Sequence, residues 1–257
     1  MISDPSFLGV PDVDIYLFVG LSVASFFTTL IGALTGTIGG LLMLGILSLF
    51  FPPVVLIPVH TVAQLGVSCT RAFLMWKWVM RGALPPFILG AILGATVGAQ
   101  LFVVLSEGWP QAAIGGFILL FTWMPQFASA GADRLRFGVL GFVATFLGMF
   151  VSATGTMLSP FVAASSPDRR NHVSTFASMM FFVHLCKLTA FLALGVAVAD
   201  YLPLILSMIA MAFCANWAGS KGLDRIPEKM FRLVFKVLLT ALALRLAWKG
   251  LSDLGYI

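Results

Sequence analysis

The chain has 257 residues, of which 60% are hydrophobic and 10% charged, with a net charge of +5 and a mean hydropathy of +1.04. A soluble domain of this length could not bury so much apolar surface, and several apolar runs approach or exceed the ~18 residues of a bilayer span. The composition therefore excludes a soluble protein and predicts an all-α, polytopic membrane protein in contact with the lipid bilayer. Its basic residues lie at the ends of the apolar runs, so they indicate no nucleic-acid partner.

The sequence before the first apolar run is acidic. Asp4, Asp12 and Asp14 occur there without a basic residue, so the positive region of a signal peptide is missing and the run is expected to remain as a span. The three cysteines lie far apart inside apolar runs without metal-ligand spacing, and are expected to be small buried hydrophobes. They are Cys69, Cys186 and Cys214. We expect no metal and no cofactor.

Ten apolar segments are predicted in chain order, at residues 15–34, 40–51, 59–79, 84–106, 110–126, 137–153, 156–165, 171–198, 201–220 and 228–250. The second and the seventh are too short for a full crossing, because a helix rises ~1.5 Å per residue and the hydrocarbon layer is ~30 Å thick. Each abuts a stretch rich in small residues, GALTGTIGG at 32–40 and GMFVSATGT at 148–156. We therefore expect about eight full spans and two half-length, broken segments.

The charged residues between the segments predict an orientation. The basic connections hold Lys77, Arg81, Arg134, Arg136, Arg169, Arg170, Lys221 and Arg225. The other connections and the termini hold Asp4, Asp12, Asp14, Glu107, Asp200 and Asp253. Because cytoplasmic loops carry the excess of lysine and arginine, the N-terminus is expected outside a cell (inner) membrane. This requires an odd number of crossings before Lys77, so the short segments are expected to be part of the traverse.

The two halves of the chain resemble each other, which predicts transmembrane repeats at residues 1–130 and 131–257. GALTGTIGGLL corresponds to GMFVSATGTML, and HTVAQLGVSCTRAF (60–73) corresponds to STFASMMFFVHLCKLTAF (174–191). Each half contains five segments, an odd number, so the second half is expected to enter the membrane from the opposite side. Inverted repeats with broken helices near the midplane are typical of secondary transporters.

The order of these features resembles the sulfite exporter TauE/SafE family. The features are a glycine-rich motif at the first span, a proline after a short segment, a third segment with serine and threonine, a small-residue span and a second, diverged copy. The resemblance covers nearly the whole chain and departs at GTIGGLLMLG, where members usually have more glycines followed by a proline. It implies an inner-membrane permease for small sulfur-containing anions or organosulfonates, which are often moved outward.

Two ionised side chains lie deep in the apolar sequence, Arg71 in the third segment and Lys187 in the eighth. A cation inside the membrane costs at least ~2.5–3.5 kcal/mol on insertion scales and normally has a partner. All ten acidic residues, however, lie in or near loops and span ends. Two cations without a carboxylate indicate an anion path, with Arg71 and Lys187 binding the substrate. The alternative is that each side chain snorkels to an interface or a backbone carbonyl.

The two glycine–threonine stretches offer further contacts to an anion. A half-helix that begins inside the membrane presents unpaired backbone N–H groups and the positive end of its dipole, and glycines let a ligand approach that backbone. Close packing through small residues is the alternative. The candidates for substrate binding are Thr35, Gly36, Thr37, Gly39, Gly40, Thr154, Gly155 and Thr156.

Polar residues share predicted helix faces with the two cations. Two lie seven and three residues before Arg71, and two precede Lys187 on its helix. We expect all four to line the substrate path, with hydrogen bonds between helices as the alternative. They are Gln64, Ser68, Ser178 and His184. A proton-carrying role for His184 is less favoured than a structural one.

The span GAILGATVGA carries Gly90, Gly94 and Gly98 at a spacing of four residues. This spacing places the three glycines on one face of a helix, where they permit close packing with another helix. The partner is expected either within the bundle or in a homodimer.

The sequence favours a secondary transporter, an exporter of small sulfur-containing anions such as sulfite or organosulfonates, working by alternating access around a midplane site. The sulfur substrate follows from the family resemblance. A passive anion channel is the alternative, since it would use the same cations. An intramembrane enzyme is less favoured, because GxSxG, HExxH and an intramembrane aspartate pair are missing. The sequence contains no GxxxxGK[ST] loop, so ATP is not expected to drive transport.

Overall fold

The computed structural model describes residues 6–35, 38–104, 134–151, 154–196 and 198–220, with residues 240, 244, 248, 251 and 252. Across these residues the regular structure is helical, and isolated bridges occur only among residues 6–13. The all-α prediction is confirmed for this part of the chain. The predicted fifth segment (110–126) lies outside the described residues, as does most of the tenth (228–250).

Eight α-helices follow one another through the described part of the chain. They are α1 (Ile15–Thr35), α2 (Gly39–Leu47), α3 (Pro53–Leu74), α4 (Leu84–Val104), α5 (Arg134–Val151), α6 (Gly155–Ser165), α7 (Arg169–Ala193) and α8 (Leu202–Ser220). Short 3₁₀ turns lie at Trp76–Trp78, Arg81–Ala83 and Ala199–Tyr201. Five described stretches are long and apolar enough to cross a bilayer, and they correspond to α1, α3, α4, α7 and α8. This is the helix content of a multi-pass membrane protein.

The two short helices begin inside the two glycine-containing stretches. α2 has nine residues and α6 has eleven, which is about 14 and 17 Å at ~1.5 Å per residue, roughly half of the hydrocarbon thickness. α2 begins at Gly39 and α6 at Gly155. Two short helices therefore lie where the two half-length segments are predicted.

The start of α3 differs from the prediction, which placed it at residue 59. The helix begins at Pro53, after an extended Pro52, and Pro58 lies inside it. A proline at the first helical position loses no helical hydrogen bond. The ring of Pro58 removes only the bond to the Val54 carbonyl, near the start of the helix, and neighbouring elements in a membrane bundle can tolerate such a loss. Proline therefore did not mark the boundary here.

The connections α3–α4 and α6–α7 meet at one end of the bundle, which we call the basic end. Arg170 lies over the Trp78 ring, 5.1 Å from its centroid, and Asn171 Nδ2 donates to the Trp78 carbonyl over 2.8 Å. Arg169 donates to the carbonyl of Leu34, at the end of α1. Two basic connections, one from each half of the sequence, therefore share an end with the C-terminus of α1.

The opposite end of the bundle, the acidic end, contains the start of α8. Tyr201 lies near both Asp12 and Asp200, and Phe51 packs edge-on against the Tyr201 ring with 5.8 Å between centroids. Since Phe51 follows α2, the chain returns to the acidic end before α3 begins. This agrees with the prediction that the short second segment is part of a crossing.

Two pairs of helices run parallel along their length, α1 with α8 and α4 with α5. At the middle of α1 and in the first half of α8, Ser25 Oγ donates to the Met208 carbonyl over 2.9 Å. Near their ends, a methyl group at Gly219 would lie 2.5 Å from Ala33 Cβ. α3 and α7 pack against each other, α3 packs on α8, and α7 packs on α4 and α5, so α3 and α7 connect the two pairs at the centre of the bundle.

The glycine face of α4 is used within the chain. A methyl group at Gly90 would overlap the Gly138 carbonyl, one at Gly94 would overlap the Phe142 carbonyl, and Gly98 faces the Met149 side chain. The backbones of α4 and α5 are therefore in contact. Of the two alternatives for these glycines, the structure shows packing within the bundle. A homodimer through Gly90, Gly94 and Gly98 would require α5 to be displaced.

The prediction that the cysteines are buried is wrong for two of the three. Cys69 and Cys214 are exposed, and Cys186 is half-buried. The outer surface of a membrane span faces lipid rather than water, so a small apolar thiol is as compatible with the surface as with the core.

We expect Gly90→Ala to lower the stability of the protein, because a methyl group cannot fit between α4 and the Gly138 carbonyl. Overpacking of this kind costs about 1–3 kcal/mol. The matched control is Gly20→Ala in α1, where a methyl group meets nothing within 4 Å. The melting temperature in detergent should fall for the first variant and not for the second; an equal fall in both would contradict the close packing.

Candidate functional site

A partly open cavity lies where α1, α2, α3, α6 and α7 meet, with about 580 Å³ of empty space that includes its opening to solvent. The end of α1 and the beginnings of α2 and α6 form part of its wall, and one face each of α3 and α7 completes it. The described residues that line it are Thr29, Gly32, Gly39, Gly40, Leu41, His60, Gln64, Val67, Ser68, Arg71, Gly155, Phe176, Ala177, Met180 and His184.

Both short helices begin at this cavity, and neither has a side-chain cap. Ile38 precedes α2, and the hydroxyl of Thr154 makes no capping hydrogen bond to α6. The first N–H groups of each helix lack the usual side-chain partner, and they carry the positive end of the helix dipole. Gly39 is required for this arrangement, because a methyl group there would overlap the Thr28 carbonyl and lie 2.9 Å from Gly32 Cα.

Arg71 extends from the last turn of α3 into the cavity wall and is 8% exposed. Its Nε donates to Asn216 Oδ1 over 3.1 Å, its Nη1 to the Gly32 carbonyl over 3.2 Å, and its Nη2 to the Thr29 carbonyl over 3.4 Å. A guanidinium has five N–H donors, so two find no acceptor among the described residues. The acceptors are all uncharged, and α1, α2, α3, α6, α7 and α8 contain no aspartate or glutamate.

The contacts of Arg71 with backbone carbonyls are those of the snorkelling alternative, yet they do not neutralise its charge. The Gly32 carbonyl is one of the last four of α1, which have no helical partner. A cation at a helix C-terminus gains about 0.3–1 kcal/mol, less than the ~2.5–3.5 kcal/mol that burial in the membrane costs. The hydrogen bonds orient the guanidinium and leave a positive charge in the cavity wall.

Asn216 on α8 positions Arg71 and is 2% exposed. Its Nδ2 donates to the Val67 carbonyl over 3.0 Å and to Thr70 Oγ1 over 2.7 Å, which directs its Oδ1 toward Arg71. A neutral amide therefore occupies the place where a carboxylate would cancel the charge. In the sequence Asn216 is a single asparagine in an apolar helix. Such a residue could form a hydrogen bond to any neighbouring helix, so its contact with Arg71 could not be predicted.

Two histidines form another polar part of the wall. His60 Nε2 donates to the Gly40 carbonyl over 2.8 Å, because a carbonyl can only accept. The His184 ring lies 6.3 Å from the His60 ring in an edge-on arrangement. His184 Nδ1 is buried and has no hydrogen-bond partner among the described residues, which is costly for a polar atom and is seldom left so in a native protein.

Lys187 is fully buried and is not among the described residues that line the cavity. A methyl group at Gly148 would lie 3.4 Å from Lys187 Cδ and 3.5 Å from Thr154 Oγ1. The same relation holds in the first half of the chain, where a methyl group at Gly32 would lie 3.5 Å from Arg71 Nη2. The two cations thus occupy matching places beside the two broken stretches.

The structure brings together seven of the predicted binding residues. Gly39, Gly40, Gln64, Ser68, Arg71, Gly155 and His184 line the cavity. Lys187, Thr154 and Ser178 do not line it, and Ser178 Oγ donates to the Ser174 carbonyl of its own helix over 2.9 Å. Gly36 and Thr37, together with the side chains of Thr35 and Thr156, lie outside what the structure describes.

Several residues of the wall were missing from the prediction. Thr29 and Gly32 contribute their backbone at the end of α1, so the sequence carries no side-chain signal for them. Phe176 and Met180 are apolar residues in an apolar helix, and only the packing of α7 on α3 shows that they face the cavity. His60 was visible as a titratable group, but its hydrogen bond to the Gly40 carbonyl depends on the fold of α2.

The sequence model of the sulfite exporter TauE/SafE family matches residues 21–246. The match begins within α1 and continues beyond the end of α8, so it includes both broken stretches and the whole wall of the cavity. Neither a curated protein nor a solved structure matches the chain.

Ser68 and Ser178 provide a test of the cavity itself. In a background whose three cysteines are replaced by alanine, we expect Ser68→Cys to react with a small, anionic, membrane-impermeant thiol reagent, because it lines the cavity near a cation. Ser178→Cys, on α7, should react about tenfold more slowly or not at all, since thiolate attack requires access. Intact-protein mass spectrometry after timed exposure measures both rates, and equal rates would contradict the assigned wall.

Proposed function

The chain belongs to the sulfite exporter TauE/SafE family, and we propose that it is a secondary transporter that exports small sulfur-containing anions, such as sulfite or organosulfonates. Its family consists of transporters rather than enzymes. The observation that carries the proposal is Arg71, a buried cation in a cavity whose helices contain no acidic residue.

The donors around the cavity suit an oxyanion of this class. A sulfite or sulfonate group carries three oxygens over which its negative charge is spread. The two N–H groups of Arg71 without a described acceptor can bind two such oxygens, a geometry that guanidinium groups favour. The beginnings of α2 and α6 add backbone donors at positive dipole ends. Gln64 and Ser68 add uncharged donors on the same wall.

We propose that residues 1–130 and 131–257 are inverted repeats that alternate access to this cavity. Equivalent helices run in opposite directions, since α3 ends at the basic end whereas α7 begins there. Likewise α4 begins after the basic Arg81 turn, and α8 begins after the Asp200 turn at the acidic end. In these repeats α1 corresponds to α5 and α4 corresponds to α8, so the parallel pair α1–α8 corresponds to the parallel pair α4–α5. Rocking of one repeat against the other around a shared site is typical of such transporters.

The proposed location is the cell (inner) membrane, with the N-terminus outside. The support is the separation of Arg169 and Arg170 at one end of the bundle from Asp12 and Asp200 at the other. Cytoplasmic ends of membrane helices carry the excess of lysine and arginine, so the basic end would face the cytoplasm. Anions would then enter the cavity from the side of Arg71.

We expect Arg71→Gln to weaken sulfite binding by about tenfold or more, since hydrogen bonds to a charged group contribute ~1.5–3 kcal/mol. The matched control is Lys77→Gln, which removes one positive charge from the exposed turn at Trp76–Trp78 and should bind sulfite as the unmodified protein does. Titration calorimetry in detergent measures both affinities. Unchanged binding by Arg71→Gln would contradict the proposed site.

The Asn216→Asp variant tests whether the anion depends on the positive charge of Arg71 or on the position that residue 216 gives to its side chain. The new carboxylate would lie where the amide already bonds Arg71 Nε at 3.1 Å, and would act as an internal competitor for the anion. We expect sulfite affinity to fall about tenfold or more while the protein stays folded.

Asn216→Ala is the comparison for this variant, because it removes the positioning contact and leaves the positive charge available. It should lower the melting temperature and weaken sulfite binding less than Asn216→Asp does. If the aspartate variant bound sulfite as tightly as the unmodified protein, the net charge of the wall would not be what the anion recognises.

A further inference from the structure

The second broken stretch has a buried cation of its own. Lys187 lies beside Gly148 as Arg71 lies beside Gly32, and Thr154, which precedes α6, contacts the same glycine position. The helices around Lys187, which are α3, α4, α5, α6 and α7, contain no aspartate or glutamate. A second buried cation therefore lies near the start of α6.

The surroundings of the two cations differ in one residue type. The residue three positions before the cation is Ser68 in the first half and His184 in the second. His184 lines the cavity, is 2% exposed, and has no partner for Nδ1 among the residues that the structure describes. A half-turn of the ring about Cβ–Cγ exchanges Nδ1 with Cδ2, so this nitrogen can face a ligand. The second half of the chain therefore has a titratable donor beside its buried cation, Lys187, where the first half has a serine beside Arg71.

In the described part of the chain, few charged or titratable groups face His184. His60 on α3 lies 6.3 Å away between ring centroids, and Lys187 follows one turn later on α7; both interact with His184 electrostatically. α4 and α6 also pack on α7 and contain no titratable side chain. On α5, Arg134 and Arg136 lie in the first turn, far along the helix from Gly148.

We propose that the cavity has a second anion-binding position, formed by His184, Lys187 and the beginning of α6, and that an anion binds there together with one proton on His184. Without an anion, that proton would lie beside the positive charge of Lys187. A bound sulfonate or sulfite group supplies both an acceptor oxygen for the imidazole nitrogen and the opposite charge. Binding of the anion and of the proton then favour each other to the same degree.

This inference rests on the proposed function and adds its coupling ion. The proton is taken from water at one face of the membrane and returned to water at the other, so no other reactant is needed. A monovalent anion and one proton cross together without net charge. Transport would therefore respond to a pH difference across the membrane.

The test is titration calorimetry of the full-length protein in detergent with methanesulfonate and with sulfite, at roughly pH 6 and pH 8, on either side of the ordinary imidazole titration. Each titration is repeated in two buffers of different ionisation enthalpy, which reports the protons taken up. Methanesulfonate stays ionised throughout, so any proton taken up with it enters the protein. We expect uptake of up to one proton per anion, with affinity rising by as much as about tenfold per pH unit on acidification.

Substitutions of two histidines test which residue takes up the proton. His184→Asn should bind methanesulfonate more weakly at the lower pH and take up no proton, with His184→Gln as a second variant if the first melts at a lower temperature. His172→Asn is the matched control on α7, because His172 bonds Ser159 Oγ at 3.0 Å away from the cavity wall, and it should retain the uptake.

Three results would overturn the inference. Binding by the unmodified protein without proton uptake would contradict it and leave the proposed function standing, and undiminished uptake in His184→Asn would place the proton on another group. Binding of neither anion would contradict the proposed function together with the inference that rests on it.

Discussion

A buried guanidinium with no acidic partner among the described residues is the constraint on which the rest of this structure depends. A charge in the membrane interior is costly, and it is normally paired or exposed to a water-filled path. Arg71 is held instead by the Asn216 amide and by two backbone carbonyls of α1. These acceptors satisfy hydrogen bonds without cancelling charge, so the wall is oriented and remains positive. Under the proposed function, the anion that enters the cavity supplies the compensating charge.

Glycine makes this geometry accessible. α2 turns back along α1 so closely that a methyl group at Gly39 would overlap the Thr28 carbonyl. The same close approach leaves the Gly32 and Thr29 carbonyls within reach of Arg71 and sets the first N–H groups of α2 at the cavity. On the other side of the bundle, glycine contacts between α4 and α5 give a tightly packed pair that runs parallel, as α1 and α8 do. Small residues thus determine both the rigid pairs and the broken helices between them.

The sequence predicted the helices well because their signals are local. Apolar length, charge at span ends and the two glycine-containing stretches placed α1, α2, α6 and α8 within a few residues of their observed bounds. Pro58 misled the prediction of α3, because proline breaks a helix only where the lost hydrogen bond cannot be tolerated. The cysteines misled it as well, since burial and apolar surroundings are different properties in a membrane.

The cavity was predictable only in part, because it depends on how each helix is rotated against its neighbours. His184 and Ser178 lie on the same helix, yet one lines the cavity and the other bonds its own backbone. Asn216 is 145 residues from Arg71 along the chain, and only the packing of α8 on α3 brings them together. Lys187 and Arg71 matched in the sequence, and the structure sets them beside separate breaks.

The central claim, that the Arg71 wall binds a sulfur oxyanion, is tested most directly by locating the anion. Crystals grown with selenite, in which selenium replaces the sulfur of sulfite, give anomalous scattering at the selenium edge. The site described here requires a selenium peak whose oxygens lie within hydrogen-bond distance, ~3 Å, of the Arg71 guanidinium. Selenium peaks only against the exposed lysine and arginine side chains of the basic end, with the cavity empty, would contradict it.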